Sequence, residues 1–230
     1  MKLKTLFIST IFAAVAAGTA SADSLLGTVG GTLSTGYDTD YYFRGANLGG
    51  NPVWTGLDLE IPLTDNGVAL GLGAWYINPT DGFISQDELD LYASIAADLG
   101  AVSVGLSYTA YIYPNAGGDT NELGLTVGTS LGPVDVGIGY HYDLDLETNY
   151  IEASVGTSYE LTDSLSVSLG ATVGFLEEDY AHTTVVASLP IVISDNAVLE
   201  PYIAGVFTGD DVFESSDNEV FGGISLSVSF

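Results

Sequence analysis

From about Thr28 to Phe230 the chain alternates apolar residues with small or polar ones, segment after segment. Successive side chains of a β-strand point to opposite faces, so each segment presents one apolar and one polar face. The closing segment shows the pattern plainly. Val220, Gly222, Ile224, Leu226, Val228 and Phe230 share one face, while Phe221, Gly223, Ser225, Ser227 and Ser229 share the other.

Twelve such segments follow one another. The first is expected to run from about Thr28 to Phe43, with Val29, Leu33, Tyr37 and Tyr41 on its apolar face and Asp38 and Asp40 on the other. Later segments repeat the logic, as in Leu89, Leu91, Ala93, Ile95 and Ala97 against Glu88, Asp90, Tyr92 and Ser94. Pro190 and Pro201 interrupt the tenth and eleventh segments. A closed sheet has no edge to hide a missing N–H, which predicts bulges there.

The connections fall into two classes. Leu63–Gly67, Asp98–Gly100, Leu131–Pro133, Glu160–Ser164 and Ser194–Asn196 are tight-turn sequences, whereas Arg44–Pro52, Asn78–Asp87, Pro114–Asn121, Asp143–Asn149, Glu177–Ala181 and Thr208–Glu219 are longer or more acidic. Short turns at one rim and loops at the other match the periplasmic and extracellular ends of an outer-membrane barrel.

Periodicity alone leaves open which face is outside, so a soluble barrel or sandwich is the competing architecture. Three features oppose it. The polar face has almost none of the Lys and Arg that protect soluble β-proteins; the aromatics Tyr76, Tyr108, Tyr140, Tyr142, Tyr150, Phe175 and Phe207 gather near segment ends like an interfacial girdle; and the chain ends on an aromatic residue. The expectation is an all-β protein, a transmembrane antiparallel up-and-down β-barrel of about twelve strands.

The N-terminus adds a compartment. Lys2 and Lys4 precede an apolar run from Leu6 to Ala17, and Thr19-Ala20-Ser21-Ala22 supplies small residues for signal-peptidase cleavage. Residues 1–22 thus read as a signal peptide and 23–230 as one barrel domain, placed in a Gram-negative cell outer membrane. The apolar run is shorter than the roughly 20 residues of a membrane helix. There is no cysteine, hence no disulfide framework.

Charge narrows the partners. Beyond Ala22 a single base, Arg44, faces all 30 carboxylates of the chain. Nucleic acid is excluded, because phosphate recognition needs Lys and Arg. Lipid is the expected partner. The acidic loops, above all Gly209–Glu214 with Asp217 and Glu219, are candidates to gather divalent cations that bridge to lipid phosphates, although they lack EF-hand spacing. The oligomeric state is not legible.

A family resemblance joins this reading at Asp38-Thr-Asp-Tyr-Tyr-Phe-Arg-Gly45, followed by Asn51-Pro52 and Gly56-Leu-Asp58. Further matches, in order, are Gly73-Ala-Trp75, Glu88-Leu-Asp-Leu-Tyr92, Tyr111-Ile-Tyr-Pro114 and Asn121-Glu-Leu123. In these the chain resembles the TorF-type porin family of conserved hypothetical proteins. The resemblance implies an outer-membrane barrel, and it brings no catalytic or ligand residues.

By parity the lumen face carries many glycines and the acids Asp38, Asp40, Asp58, Glu60, Glu88, Asp90, Glu122, Asp135 and Glu152. Carboxylate rings favour cations and repel anions, so these are the candidate pore-lining residues of a channel for small cations or neutral solutes. Arg44 is expected to act as an ion-pair centre at the outer mouth, drawn to Glu88, Asp90 or Glu122. Two alternatives stand beside the channel. One is a structural or surface-recognition barrel with a filled lumen. The other is an outer-membrane hydrolase using His141 and Asp143, which lie two apart on one face; the Ser beside a His that a phospholipase needs is missing at His141-Tyr-Asp143 and His182-Thr-Thr184. The pattern as a whole reads as a non-enzyme, with no cofactor, no metal site and no catalytic residue implied.

Overall fold

The computed structural model describes residues 29–65, 67–81, 87–210, 212 and 218–230. The expected signal peptide lies outside them, as do Asp211, Glu214 and Asp217 of the acidic loop. Every regular element described is a strand. In chain order they are β1 (Gly30–Asp38), β2 (Asp40–Phe43), β3 (Ala46–Gly50), β4 (Val53–Pro62), β5 (Val68–Asn78), β6 (Glu88–Asp98), β7 (Ser103–Ile112) and β8 (Thr120–Leu131). There follow β9 (Val134–Asp143), β10 (Thr148–Thr162), β11 (Leu165–Leu176), β12 (Asp179–Ser188), β13 (Ile191–Ser194), β14 (Ala197–Thr208) and β15 (Glu219–Ser229).

Apart from β2 and β3, each strand pairs antiparallel with its neighbours in the chain, and β1 closes the sheet by pairing with both β4 and β15. β13 continues β12 beyond Pro190 and also lies between β11 and β14. The wall is therefore a closed antiparallel barrel of twelve strands. At the seam Phe230 and Gly31 exchange backbone hydrogen bonds of 2.9 Å, and the Phe230 ring lies over the site where a Gly31 side chain would be.

The alternation places the apolar set outside. Leu33, Leu57, Leu106, Ile138, Ile203 and Ile224 are all exposed on the barrel exterior. So large a contiguous apolar surface is untenable in water and natural in hydrocarbon. The architecture with a Leu-rich face turned inward is thereby excluded.

Three expectations need correction. The first strand ends at Asp38 rather than Phe43: Thr39 breaks it, and Asp40–Gly50 forms a separate two-stranded sheet, so Asp40 is not on the barrel wall and Tyr41 is buried instead of facing outward. The prolines cause no bulge. Ser188 pairs with Tyr202 and Ile191 with Leu199, leaving two residues on each strand between, so the register is unbroken. Pro190 still accepts from the Ser166 N–H and Pro201 from the Leu189 N–H, both at 3.0 Å, so each proline removes only a donor. The irregularities of these strands fall instead at Ala181, between the Gly174–His182 and Phe175–Tyr180 pairs, and at Ile193, between the Val192–Val198 and Ser194–Ala197 pairs. Finally, β11 and β12 are joined by the two residues Glu177 and Glu178, a tight turn on the rim otherwise given to longer connections.

Candidate functional site: the barrel lumen

The β2–β3 hairpin decides the shape of the lumen. Its turn is Arg44-Gly45, with φ of 51° and 91° respectively. Two positive φ values are the type I′ geometry that matches the twist of a hairpin, and Gly45 takes its share without strain. A hairpin four residues deep reaches about 13 Å at the rise of an extended strand, and the Arg44 side chain extends it further. It leaves the wall at β1 and its tip meets β8 and β10, on the far side of the barrel.

Both faces of β2 carry packed side chains. Tyr41 packs with Trp54, Trp75 and Ile77 of β4 and β5, its ring centroid 5.7 Å from that of Trp75. Phe43 meets Tyr111 of β7 edge-on at 5.7 Å. On the other face Tyr42 joins Ala204, Val206 and Phe221 of β14 and β15, 5.0 Å from Phe221. Three consecutive aromatics, Tyr41-Tyr42-Phe43, break the alternation because both sides of β2 pack against the wall, while Asn47 of β3 is exposed. Fully burying each ring is worth roughly 1.5–3 kcal/mol.

The tip carries the charge. Arg44 donates two hydrogen bonds to Glu122 of β8, Nη1 to Oε2 at 2.6 Å and Nη2 to Oε1 at 2.9 Å. Its guanidinium also lies 4.3 Å from the centroid of Tyr150 and 4.8 Å from that of Phe43. Burial works against the Arg44 charge, but the hydrogen bonds to Glu122 outweigh it and raise its pKa above the ordinary guanidinium value. Planar bidentate pairing with a buried carboxylate is the strong form of a charge-assisted bond.

Glu122 heads a belt of polar contacts that runs from strand to strand. It accepts from Tyr111 of β7 at 3.3 Å and bonds His141 Nδ1 of β9 at 3.0 Å. On β10 the Tyr150 hydroxyl lies 3.2 Å from Glu152 Oε2 and 2.8 Å from His182 Nε2 of β12, whose Nδ1 is 2.9 Å from the Thr184 hydroxyl. Gly174 makes this possible. It sits on β11 between them, and a Cβ there would collide with the Tyr150 hydroxyl and His182.

The nine candidate pore-lining acids divide by depth. Asp38, Glu88, Asp90, Glu122 and Glu152 are buried at the level of the hairpin. Asp38 accepts from Tyr202 at 2.7 Å, and Glu88 accepts from Tyr41 at 3.0 Å and Tyr113 at 3.4 Å. Asp58, Glu60 and Asp135 lie towards the short-turn rim and are not buried; Tyr92 donates to Asp58 and Ser130 to Asp135, each at 2.5 Å. Asp40 is half-buried at the root of the hairpin. His141 and Asp143 are not joined. His141 is held by Glu122, while Asp143 accepts the Asp145 and Leu146 N–H groups of its own turn.

Sequence reasoning missed the aromatic plug residues and the partners Tyr111 and Tyr150. Residue type places Tyr150 in the outer girdle, yet it shares parity with Glu152 and is buried inside the barrel. The unbroken aromatic run 41–43 beside Arg-Gly was the available signal.

No family model matches this chain, and no curated protein matches it by sequence. Solved structures match it in shape. The KdgM porin superposes with a TM-score of 0.59 over 86% of this chain and 99% of its own, at 10% identity. The NanC porin gives 0.54 over 87% and 98%, at 14% identity. The COG4313 outer membrane channel from Pseudomonas putida F1 gives 0.52 over 88% and 95%, at 12% identity. Identities this low establish the barrel fold alone.

Proposed function

We propose that this chain is a porin-like channel of the outer membrane, passing small cations or neutral solutes through an acidic lumen. The observation that carries the reading is the sidedness of the barrel: an exterior of exposed Leu, Ile and Val encloses an inner face of Gly, Ser and carboxylates. Barrels that only need to sit in lipid have no use for an inner wall of small polar residues. The fold likeness to the KdgM and NanC porins is consistent with it. The cation preference follows from Asp58, Glu60 and Asp135 on the open side of the hairpin with no base among their hydrogen-bonding partners.

Reversal potentials in a KCl gradient across planar bilayers test it. Cation preference that weakens as acid neutralises the carboxylates is expected, and anion preference at neutral pH would overturn the acidic-lumen reading.

One observation favours a second reading, a structural or surface-recognition barrel without a pore. At the level of the hairpin every strand of the wall contributes a buried residue, from Asp38 on β1 through Glu122 on β8 to Phe221 on β15. A barrel that carries no current even after its hairpin is removed would establish that reading. The hydrolase alternative finds no support in the separation of His141 from Asp143.

A further inference from the structure

The hairpin is attached to the barrel in two different ways. Its root is pinned by backbone. Thr39 donates its N–H to Gly222 at 2.8 Å and accepts from Asn51 at 2.8 Å, and Gly50 exchanges hydrogen bonds with Asp81 of the β5–β6 connection at 2.5 and 3.0 Å. The flanking conformations are those of a bend: Asn51 has φ of 52° and Gly49 of 143°. Beyond the root, among the described residues, the backbones of β2 and β3 pair with each other as a sheet of their own. A lone two-stranded hairpin is marginal by itself, so its seat across the lumen depends on side chains.

Those side chains differ in kind. The aromatic contacts are non-directional and lie along the shaft, whereas the two directional hydrogen bonds of Arg44 to Glu122 fix the tip to the far wall. Tyr41 adds one bond to Glu88 midway. The guanidinium remains partly open, its side chain 21% accessible against 5% for Glu122, so water has a route to the pair from the arginine side. Arg44 is also the sole Lys or Arg residue beyond residue 22, so no second permanently charged cation is available to Glu122, which otherwise bonds His141 and Tyr111.

Building on the channel reading, we propose that the β2–β3 hairpin is a hinged gate, that Arg44 and Glu122 are its latch, and that the structure described above is the shut state. Opening breaks the Arg44–Glu122 pair, rotates the ribbon about Thr39 and Asn51, and leaves the Gly- and Ser-lined barrel as the conduit. Glu122 keeps His141 and Tyr111 when the latch parts, so its charge is not stranded, and the tip finds water at the loop rim.

Three refolded proteins in planar bilayers under KCl test this: the parent chain, Arg44→Gln, and a barrel in which residues 40–50 are replaced by a short Gly-Ser link. The parent should open rarely. Arg44→Gln should raise open probability about tenfold or more, the factor that corresponds to losing about 1.4 kcal/mol of latch. The hairpinless barrel should stay open with a larger unit conductance. Equal open probability in parent and Arg44→Gln overturns the latch, and equal conductance with and without the hairpin overturns the gate, while current in either case leaves the channel reading intact. Silence of a hairpinless barrel that migrates as folded on unheated gels defeats the channel reading itself.

Because the chain has no cysteine, Ala46→Cys gives a second readout. Its modification by a membrane-impermeant thiosulfonate should quicken at least severalfold when combined with Arg44→Gln; an unchanged rate counts against hairpin movement.

Discussion

The two halves of the lumen are built from the same strands and the same alternation, yet they are opposite in substance. Towards the loop rim the interior is filled: Ile77 and Val206 are 0% accessible, Glu122 binds Arg44 and His141, and His182 is held by the Tyr150 hydroxyl. Towards the turn rim the inward Ser94, Ser107, Gly128, Gly137, Ser154 and Ser168 are only half-buried, while Ser188, Glu200, Ser227 and Ser229 of β12, β14 and β15 are buried without any partner from the hairpin. The wall does not make this difference. An eleven-residue excursion between β1 and β4 does, by supplying the first half with partners that the second half lacks. A β-barrel interior is thus a vessel, and a single inserted hairpin adds partners to the inward polar groups it reaches and none to those beyond it.

The contrast should be sharpest at Glu122. Glu122→Ala leaves Arg44 and His141 without their carboxylate, and breaking one side of a buried pair costs about 3–5 kcal/mol. A markedly lower urea midpoint is expected, and an unchanged midpoint would show that the outer half is less tightly built than its geometry implies.

The exterior should show no such division. Ile138→Arg places a charge near the middle of the apolar belt, and a loss of about 2–4 kcal/mol is expected in lipid, measurable as folding yield in vesicles and independent of the hairpin. Tolerance of that substitution would remove the argument that this face meets hydrocarbon.

Glycines give a finer comparison. Gly174→Ala drives a methyl into Tyr150 and His182, so overpacking of about 1–3 kcal/mol is expected. Gly128→Ala, whose methyl would lie 3.1 Å from the movable Ser103 hydroxyl, should alter stability by no more than about 0.5 kcal/mol. Equal effects at the two sites would erase the distinction between filled and open halves.

The smallest stability change is expected at Asp58, where Asn keeps an acceptor for Tyr92 and removes a charge. Asp58→Asn should leave the unfolding midpoint within about 0.5 kcal/mol of the parent while lowering the cation-to-anion permeability ratio. Unaltered selectivity would transfer that role to Glu60 and Asp135.

Much of this was legible residue by residue. Alternation identified the strands, and parity turned Asp38, Glu88, Asp90, Glu122 and Glu152 inward, because a strand's side-chain period is two and any shift of one residue would put carboxylates in hydrocarbon. The tight turns at Leu63–Gly67 and Leu131–Pro133 identified one rim. Local chemistry was enough for these, since each depends on a few neighbouring residues and one solvent boundary.

Parity could not say what fills a closed space. Tyr41 has the same periodicity whether β1 continues along the wall or turns inward at Thr39, and the choice rests on Trp54, Trp75 and Ile77 waiting on β4 and β5. Arg44 meets Glu122 only because the ribbon crosses the barrel to a residue 78 positions later. The sequence alone determined the barrel, its sidedness and the direction of each strand residue, all consequences of backbone period and solvent. Only the tertiary structure decided which half is filled and which acids are paired, because those depend on distances across the lumen between segments that no local pattern connects.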